Sequence, residues 1–129
     1  MPGSRPSPFS YTILRVVPSV ERGECLNVGV ILFCRQLSFL GARVQIDETR
    51  LRTLSAEISL SELTGHLAGL ARVAEGAADA GPIAALDQSE RFGWLAAPSS
   101  TIVQPSEVHT GLSDDPVATL QELFERLVQ

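Results

Sequence analysis

Residues 22–33 read RGECLNVGVILF, and this stretch decides the fold. Its apolar and β-branched side chains predict a strand, and the preceding residues 18–24, PSVERGE, carry the Pro, Ser and Gly of a turn. Two further runs of the same character lie at 9–17 and 39–46. Three neighbouring strands joined by short polar loops predict an antiparallel meander.

The alternation of side chains along these strands predicts which residues are buried. One apolar face is expected to combine every second residue of the second and third strands: Leu26, Val28, Val30, Leu32, Leu40, Ala42, Val44 and Ile46. Asn27 and Gly29 then fall on the opposite face, where a glycine leaves room for another backbone or for a ligand. We expect a loop of the same molecule, residues 97–111, to pack there, with Ser100 and His109 bonding across the strand.

Helical patterns follow the three strands. Asp47 and Ser59 are expected to cap two amphipathic helices, residues 83–96 look mostly helical, and Asp115 before a proline begins a final helix. Residues 101–112 return to extended character. These elements predict an α+β fold: a three-stranded antiparallel meander plus an extended C-terminal segment, packed against several amphipathic helices on one sheet face. Residues 1–8 are expected to be a disordered lead-in and 9–129 a single globular domain.

Composition excludes several classes of function. The chain carries 10 basic and 15 acidic residues, a net charge of -5, which argues against binding to a nucleic-acid backbone. No apolar run approaches a membrane span, so we expect a cytoplasmic protein without a membrane partner. The two cysteines and two histidines lack metal-ligand spacing, and no phosphate-binding glycine motif occurs, so neither a metal nor a cofactor is expected.

The sequence contains one candidate catalytic arrangement and one candidate binding surface. His109 has serines before it and aspartates after it, but no G-x-S-x-G turn presents a nucleophile, and we expect no catalytic residue. Arg15, Asn27, Arg43 and Gln45 are predicted to share one sheet face. Such a face is either an exposed polar surface or a site that recognises a carboxylate, a phosphate or a partner's backbone.

Two sequence blocks resemble the bacterial domain-of-unknown-function family 3037. The first is R-V-x-P-x-x-x-R-G-E-x-x-N-V-G-V at 15–30, and the second is R-F-x-W-L-x-A-P-x-S-T at 91–101, which leads into Val-His-Thr-Gly at 108–111. The likeness extends from residue 9 to the C-terminus. The positions that carry the family pattern are Arg15, Glu24, Asn27, Gly29, Arg91, Ser100, His109 and Gly111.

The resemblance implies a small protein often encoded beside a HipA-like serine/threonine kinase. It therefore suggests a non-catalytic interaction or regulatory partner of such a kinase, docking through a sheet edge or the polar face. The alternative is a small enzyme or ligand-binding domain with an anion-recognising pocket around Arg15, Asn27, Arg91 and His109. Convergence of these four residues in space is the test that separates the two hypotheses.

Overall fold

The fold is α+β, as the sequence predicts. The computed structural model describes residues 5–19, 21–99 and 101–129. Its strands are β1 (Ser7–Ser19), β2 (Glu24–Cys34), β3 (Phe39–Val44), β4 (Val103–Pro105) and β5 (His109–Ser113). Its helices are α1 (Glu48–Leu54), α2 (Leu60–Glu75), α3 (Gln88–Ala96) and α4 (Pro116–Leu127), with a short 3-10 turn at Ile83–Ala85. The first strand begins at Ser7, inside the segment expected to be a lead-in.

All strand pairs are antiparallel and form one sheet. The order is β3-β2-β1, with β4 and β5 both on the other edge of β1. β4 pairs with residues 14–16 of β1 and β5 with residues 7–11. The meander is therefore only part of the sheet, because the extended C-terminal segment joins it as two strands.

A buried polar cluster of Thr12 and Ser106 lies between β4 and β5. The Thr12 hydroxyl donates to the carbonyl oxygen of Ser106 at 2.8 Å, and the Ser106 hydroxyl accepts from the backbone N–H of Ile13 at 2.9 Å. Both side chains are buried. These bonds satisfy the backbone groups that the break between β4 and β5 leaves without ladder partners.

A β-bulge in β2 determines which residues face each side. Leu14 pairs with Gly29, but the next residue, Arg15, pairs with Asn27, so Val28 is the extra residue. The bulge places Val28 on the same side of the sheet as Ile31, whereas Val30 faces the opposite side. The prediction that Leu26, Val28, Val30 and Leu32 share a face is therefore wrong.

Helices cover both faces of the sheet, so the expectation of one covered face is also wrong. The larger core lies between the sheet and α1, α2 and α3; its central buried side chains are Leu14, Val16, Val28, Ile31, Leu51, Leu63, Leu67, Phe92, Leu95 and Val103. The smaller core lies between the opposite face and α4; it contains Phe9, Val30, Leu32, Cys34, Leu120, Leu123, Phe124 and Val128.

The predicted helix starts are confirmed by side-chain caps. Asp47, Ser59 and Asp115 each accept a hydrogen bond from the backbone N–H three residues later. Asp87 caps α3 in the same way. In α4, Pro116 occupies the first turn, where its missing N–H costs no helical bond.

Candidate functional site

Asn27 holds the end of the last helix. Its side-chain amide nitrogen donates to the carbonyl oxygen of Leu127 at 3.0 Å. Leu127 is the final residue of α4, whose last carbonyls have no partners within the helix. The segment that meets Asn27 is therefore α4, and the expectation that residues 97–111 pack there is wrong, because their strands pair with β1 instead.

Gly29 is needed because neighbouring strands come close. It sits opposite Val44, and a Cβ atom there would lie 2.9 Å from Val44 Cγ1 and 3.1 Å from the Arg43 carbonyl oxygen. The pair Gly29–Val44 lies between hydrogen-bonded pairs, where facing residues approach most closely. The glycine thus serves packing within the sheet.

Arg91 and Arg15 lie on opposite sides of the sheet. Arg91, in α3, donates to the carbonyl oxygens of Leu86 at 2.7 Å and Ala74 at 3.2 Å. It therefore ties the end of α2 to the start of α3. Arg15 alternates with core residues that face α2 and α3, so it points to the α4 side, and its buried Nε has no hydrogen-bond partner in the described part of the chain.

The remaining residues of the family pattern have separate surroundings. The His109 ring stacks on Tyr11 with centroids 5.2 Å apart, and Glu24 forms an exposed ion pair of 2.6 Å with Arg22. A Cβ at Gly111 would meet the Phe9 ring at 2.6 Å, so this glycine accommodates an aromatic ring. Ser100 lies outside the described residues.

The four residues of the alternative pocket are not brought together. Arg15 and Asn27 are cross-strand neighbours, but Arg91 belongs to the other side of the sheet. His109 is paired with Tyr11, four residues from Arg15 along β1, or about 13 Å at the usual rise of a strand. Both Asn27 and Arg91 already donate to backbone carbonyls of the same chain.

The free edge of β3 presents unused backbone groups. The N–H of Gln45 donates to the carbonyl of Val28 at 2.8 Å, which sets the phase of the ladder between β2 and β3. Because bonded pairs alternate in an antiparallel ladder, Leu40, Ala42 and Val44 direct their N–H and C=O groups away from β2. No partner for these groups occurs among the residues that the structure describes.

The part of the opposite edge that β4 forms is protected. The N–H of Ser106 donates to Ile13, and that of Val17 donates to Ile102, so the backbone of Pro105 faces outward. Proline has no N–H to offer an incoming strand, and β4 itself has only three residues. By contrast, β3, FLGARV, contains no proline, lysine or acidic residue.

An apolar cavity adjoins the open edge. It measures about 450 Å³ and lies between the end of β3 and α2. Its lining residues are Val44, Gln45, Ile46, Glu48, Leu60, Thr64, Leu67 and Ala68. The candidate site is therefore the edge of β3 together with this cavity, which we call the β3 edge site. The sequence signal for it was the absence of protective residues at 39–44.

None of the shifted pKa values among the described residues belongs to the β3 edge site. These shifts belong to the start of α3: the backbone N–H of Glu90 lowers the pKa of Asp87, and the hydrogen bond with Asp87 raises the pKa of Glu90.

In residues 5–19, 21–99 and 101–129, no three His, Cys, Asp or Glu side chains are grouped to hold a metal ion. No helix of this described part is long and apolar enough to cross a membrane.

The family model described as "Protein of unknown function (DUF3037)" matches residues 11–128. The chain belongs to this family. No curated protein and no solved structure matches it.

The matched range includes both blocks that carry the resemblance, and it includes β2, β3 and α2, which build the β3 edge site. The family description names no activity.

Proposed function

We propose that this protein is a non-catalytic interaction module that binds a partner at the β3 edge site. The observation that carries the proposal is the difference between the two sheet edges. The first is divided between β5 and the three-residue β4, which ends in an outward-facing proline, whereas β3 is one continuous strand in which Leu40, Ala42 and Val44 leave their backbone groups without partners among the described residues. Proteins usually block such an edge unless a strand is added to it.

The partner that we propose is a HipA-like serine/threonine kinase, as the family resemblance implies. An extended segment of the kinase would add a strand to β3 and receive main-chain hydrogen bonds from Leu40, Ala42 and Val44. The regulatory role, the bacterial origin and the cytoplasmic location belong to this same proposal. The anion-pocket alternative gains no support from the separate positions of Arg15, Arg91 and His109.

Ala42→Pro is the variant that tests the proposal. The N–H of Ala42 points away from β2, so proline removes no bond from the ladder but withdraws a donor from the incoming strand. Leu112→Pro is the matched control on the other edge. The N–H of Ser106 donates to Ile13, so by alternation Tyr11 and Phe9 direct their backbone groups to this edge and Pro8 does not. Leu112, the partner of Pro8, therefore also directs its N–H outward.

The experiment is co-purification of the tagged protein with a co-expressed HipA-like kinase of the same organism. We expect the wild type and Leu112→Pro to retain the kinase and Ala42→Pro to lose it, with circular dichroism showing an intact fold in both variants. A wild type that retains no kinase would overturn the choice of partner. Equal retention by Ala42→Pro would overturn the choice of edge.

A further inference from the structure

We infer that the segment joining β3 carries an acidic residue between two apolar residues. In this pattern the apolar side chains face α2 and the acidic side chain faces Arg43. The inference rests on the proposed function and adds the chemistry of the ligand. It is drawn from the register of the open edge, the lining of the adjoining cavity and the charge on β3.

The register of β3 decides which side chains of an added strand face the cavity. Leu40, Ala42 and Val44 project toward α2, because Leu40 belongs to the larger core and the other two pack against it. Arg43 projects to the α4 side. Side chains of an added strand alternate between the same two faces, so residues beside Ala42 and Val44 face α2 and the residue beside Arg43 faces the other way.

The cavity accepts an apolar side chain. Val44, Ile46, Leu60 and Leu67 supply apolar walls, and the small residue Ala68, exposed on α2, leaves the entrance open. Its volume of about 450 Å³ lies within the range of ligand-binding clefts. Burying an aliphatic or aromatic side chain there would add specificity to the main-chain hydrogen bonds.

Arg43 supplies the charge at the same edge. Its guanidinium carbon lies 5.1 Å from the centre of the Phe124 ring, and Arg43 itself is exposed. No carboxylate of the described residues forms an ion pair with it. Opposite charges on directly facing residues stabilise a strand pair, so an Asp or Glu beside Arg43 complements the only charged residue of β3.

A second copy of this chain fits the open edge less well than a single strand does. α2 packs directly against β3. Paired strands lie about 4.8 Å apart, whereas a helix is about 10 Å wide. Two copies joined through β3 would have to accommodate two α2 helices beneath neighbouring strands, whereas an isolated strand carries no such helix.

The test uses a randomised heptapeptide display library selected on the immobilised full-length protein. Enriched peptides are synthesised, and their Kd values are measured by fluorescence anisotropy on the wild type and on variants. Ala68→Phe fills the cavity entrance, and His66→Phe places the same ring at another exposed position of α2. Arg43→Glu reverses the edge charge, and Arg22→Glu makes the same change in the β1–β2 turn.

We expect the enriched peptides to show the apolar–acidic–apolar pattern and to lose binding to Ala42→Pro. Ala68→Phe should weaken binding by about tenfold or more, the range of a steric overpacking penalty, and His66→Phe should not. Arg43→Glu should favour peptides in which Lys replaces the acidic residue, while Arg22→Glu keeps the original preference.

The failures of the two proposals can be distinguished. Peptides that bind Ala42→Pro as well as the wild type, or no enrichment at all, would overturn strand addition and the inference with it. Peptides that require the open edge but ignore Ala68→Phe and Arg43→Glu would overturn only the inferred ligand chemistry. Sedimentation of a dimer that Ala42→Pro dissociates would assign the edge to a second copy and overturn the partner segment.

Discussion

Replacing Gly29 tests the packing between β2 and β3. In Gly29→Ala the new methyl group would lie 2.9 Å from Val44 Cγ1 and 3.1 Å from the Arg43 carbonyl oxygen. Neither atom can move easily, because valine is stiff at χ1 and the carbonyl belongs to the ladder. Leu14 Cδ1, at 3.3 Å, closes a third direction. The strands must therefore separate or the side chains leave their rotamers.

The cost follows from these contacts. Overpacking of this kind destabilises by about 1–3 kcal/mol, and the lower chain entropy of alanine in the unfolded state returns about 0.4–1 kcal/mol. We expect Gly29→Ala to lower the free energy of unfolding by about 1–2 kcal/mol and Gly29→Val to lower it further. Combining Gly29→Ala with Val44→Ala removes the closest atom, so the double variant should lose less stability than the sum of the single variants.

Urea unfolding followed by circular dichroism measures these differences. Gly93→Ala is the matched control, since it lies in α3 with no atom within 4 Å of the added Cβ. There the same change should stabilise by about 0.5–1 kcal/mol, because alanine favours the helix. If Gly29→Ala is as stable as the wild type, or if the two substitutions are additive, the close approach of the strands is not what requires glycine.

Three further predictions concern hydrogen bonds. Asn27→Ala should destabilise by about 1 kcal/mol and speed amide exchange at the end of α4, because Leu127 loses its donor; unchanged exchange there would contradict this. Arg91→Ala should cost about 1–3 kcal/mol in urea unfolding without altering peptide affinity at the β3 edge site, and a selective loss of affinity would contradict its structural role. The backbone N–H of Glu90 lowers the pKa of Asp87 in the folded state, so the stabilisation from Asp87 is present above its unfolded pKa and disappears as pH falls through the folded value. The raised pKa of Glu90 acts in the opposite direction and reduces this loss. Urea unfolding from pH 6 to 2 should show the net loss in wild type and a smaller loss in Asp87→Asn.

Local signals in the sequence predicted much of the fold. The caps at Asp47, Ser59 and Asp115 and the proline in the first turn of α4 require only nearby residues, and the structure contains all of them. The α+β class followed from the order of the elements. The division of residues 101–112 into β4 and β5 depended on a distant contact, the cluster of Thr12 with Ser106, which no local pattern reports.

The site residues were harder to interpret because polar residues with a structural role resemble binding residues in a sequence. Asn27 and Arg91 suggested an anion pocket, yet Asn27 donates to the last residue of α4, 100 positions away, and Arg91 donates to Leu86 and to Ala74 near the end of α2. Leu40, Ala42 and Val44 gave no chemical signal, since their contribution to the site is backbone. A sequence pattern identifies side chains, whereas strand addition depends on which backbone groups remain unpaired.

The bulge at Val28 links these misassignments to the proposed site. A strand has a side-chain period of two, so one extra residue exchanges the faces of everything beyond it. With the bulge, Asn27 faces α4 and reaches its last carbonyl, and Val28 enters the larger core. The carbonyl of Val28 also accepts the bond from Gln45 that fixes the phase of β3. That bond directs the groups of Ala42 outward, so the residue at which the assignment of faces failed also takes part in fixing which residues of β3 can bind an added strand.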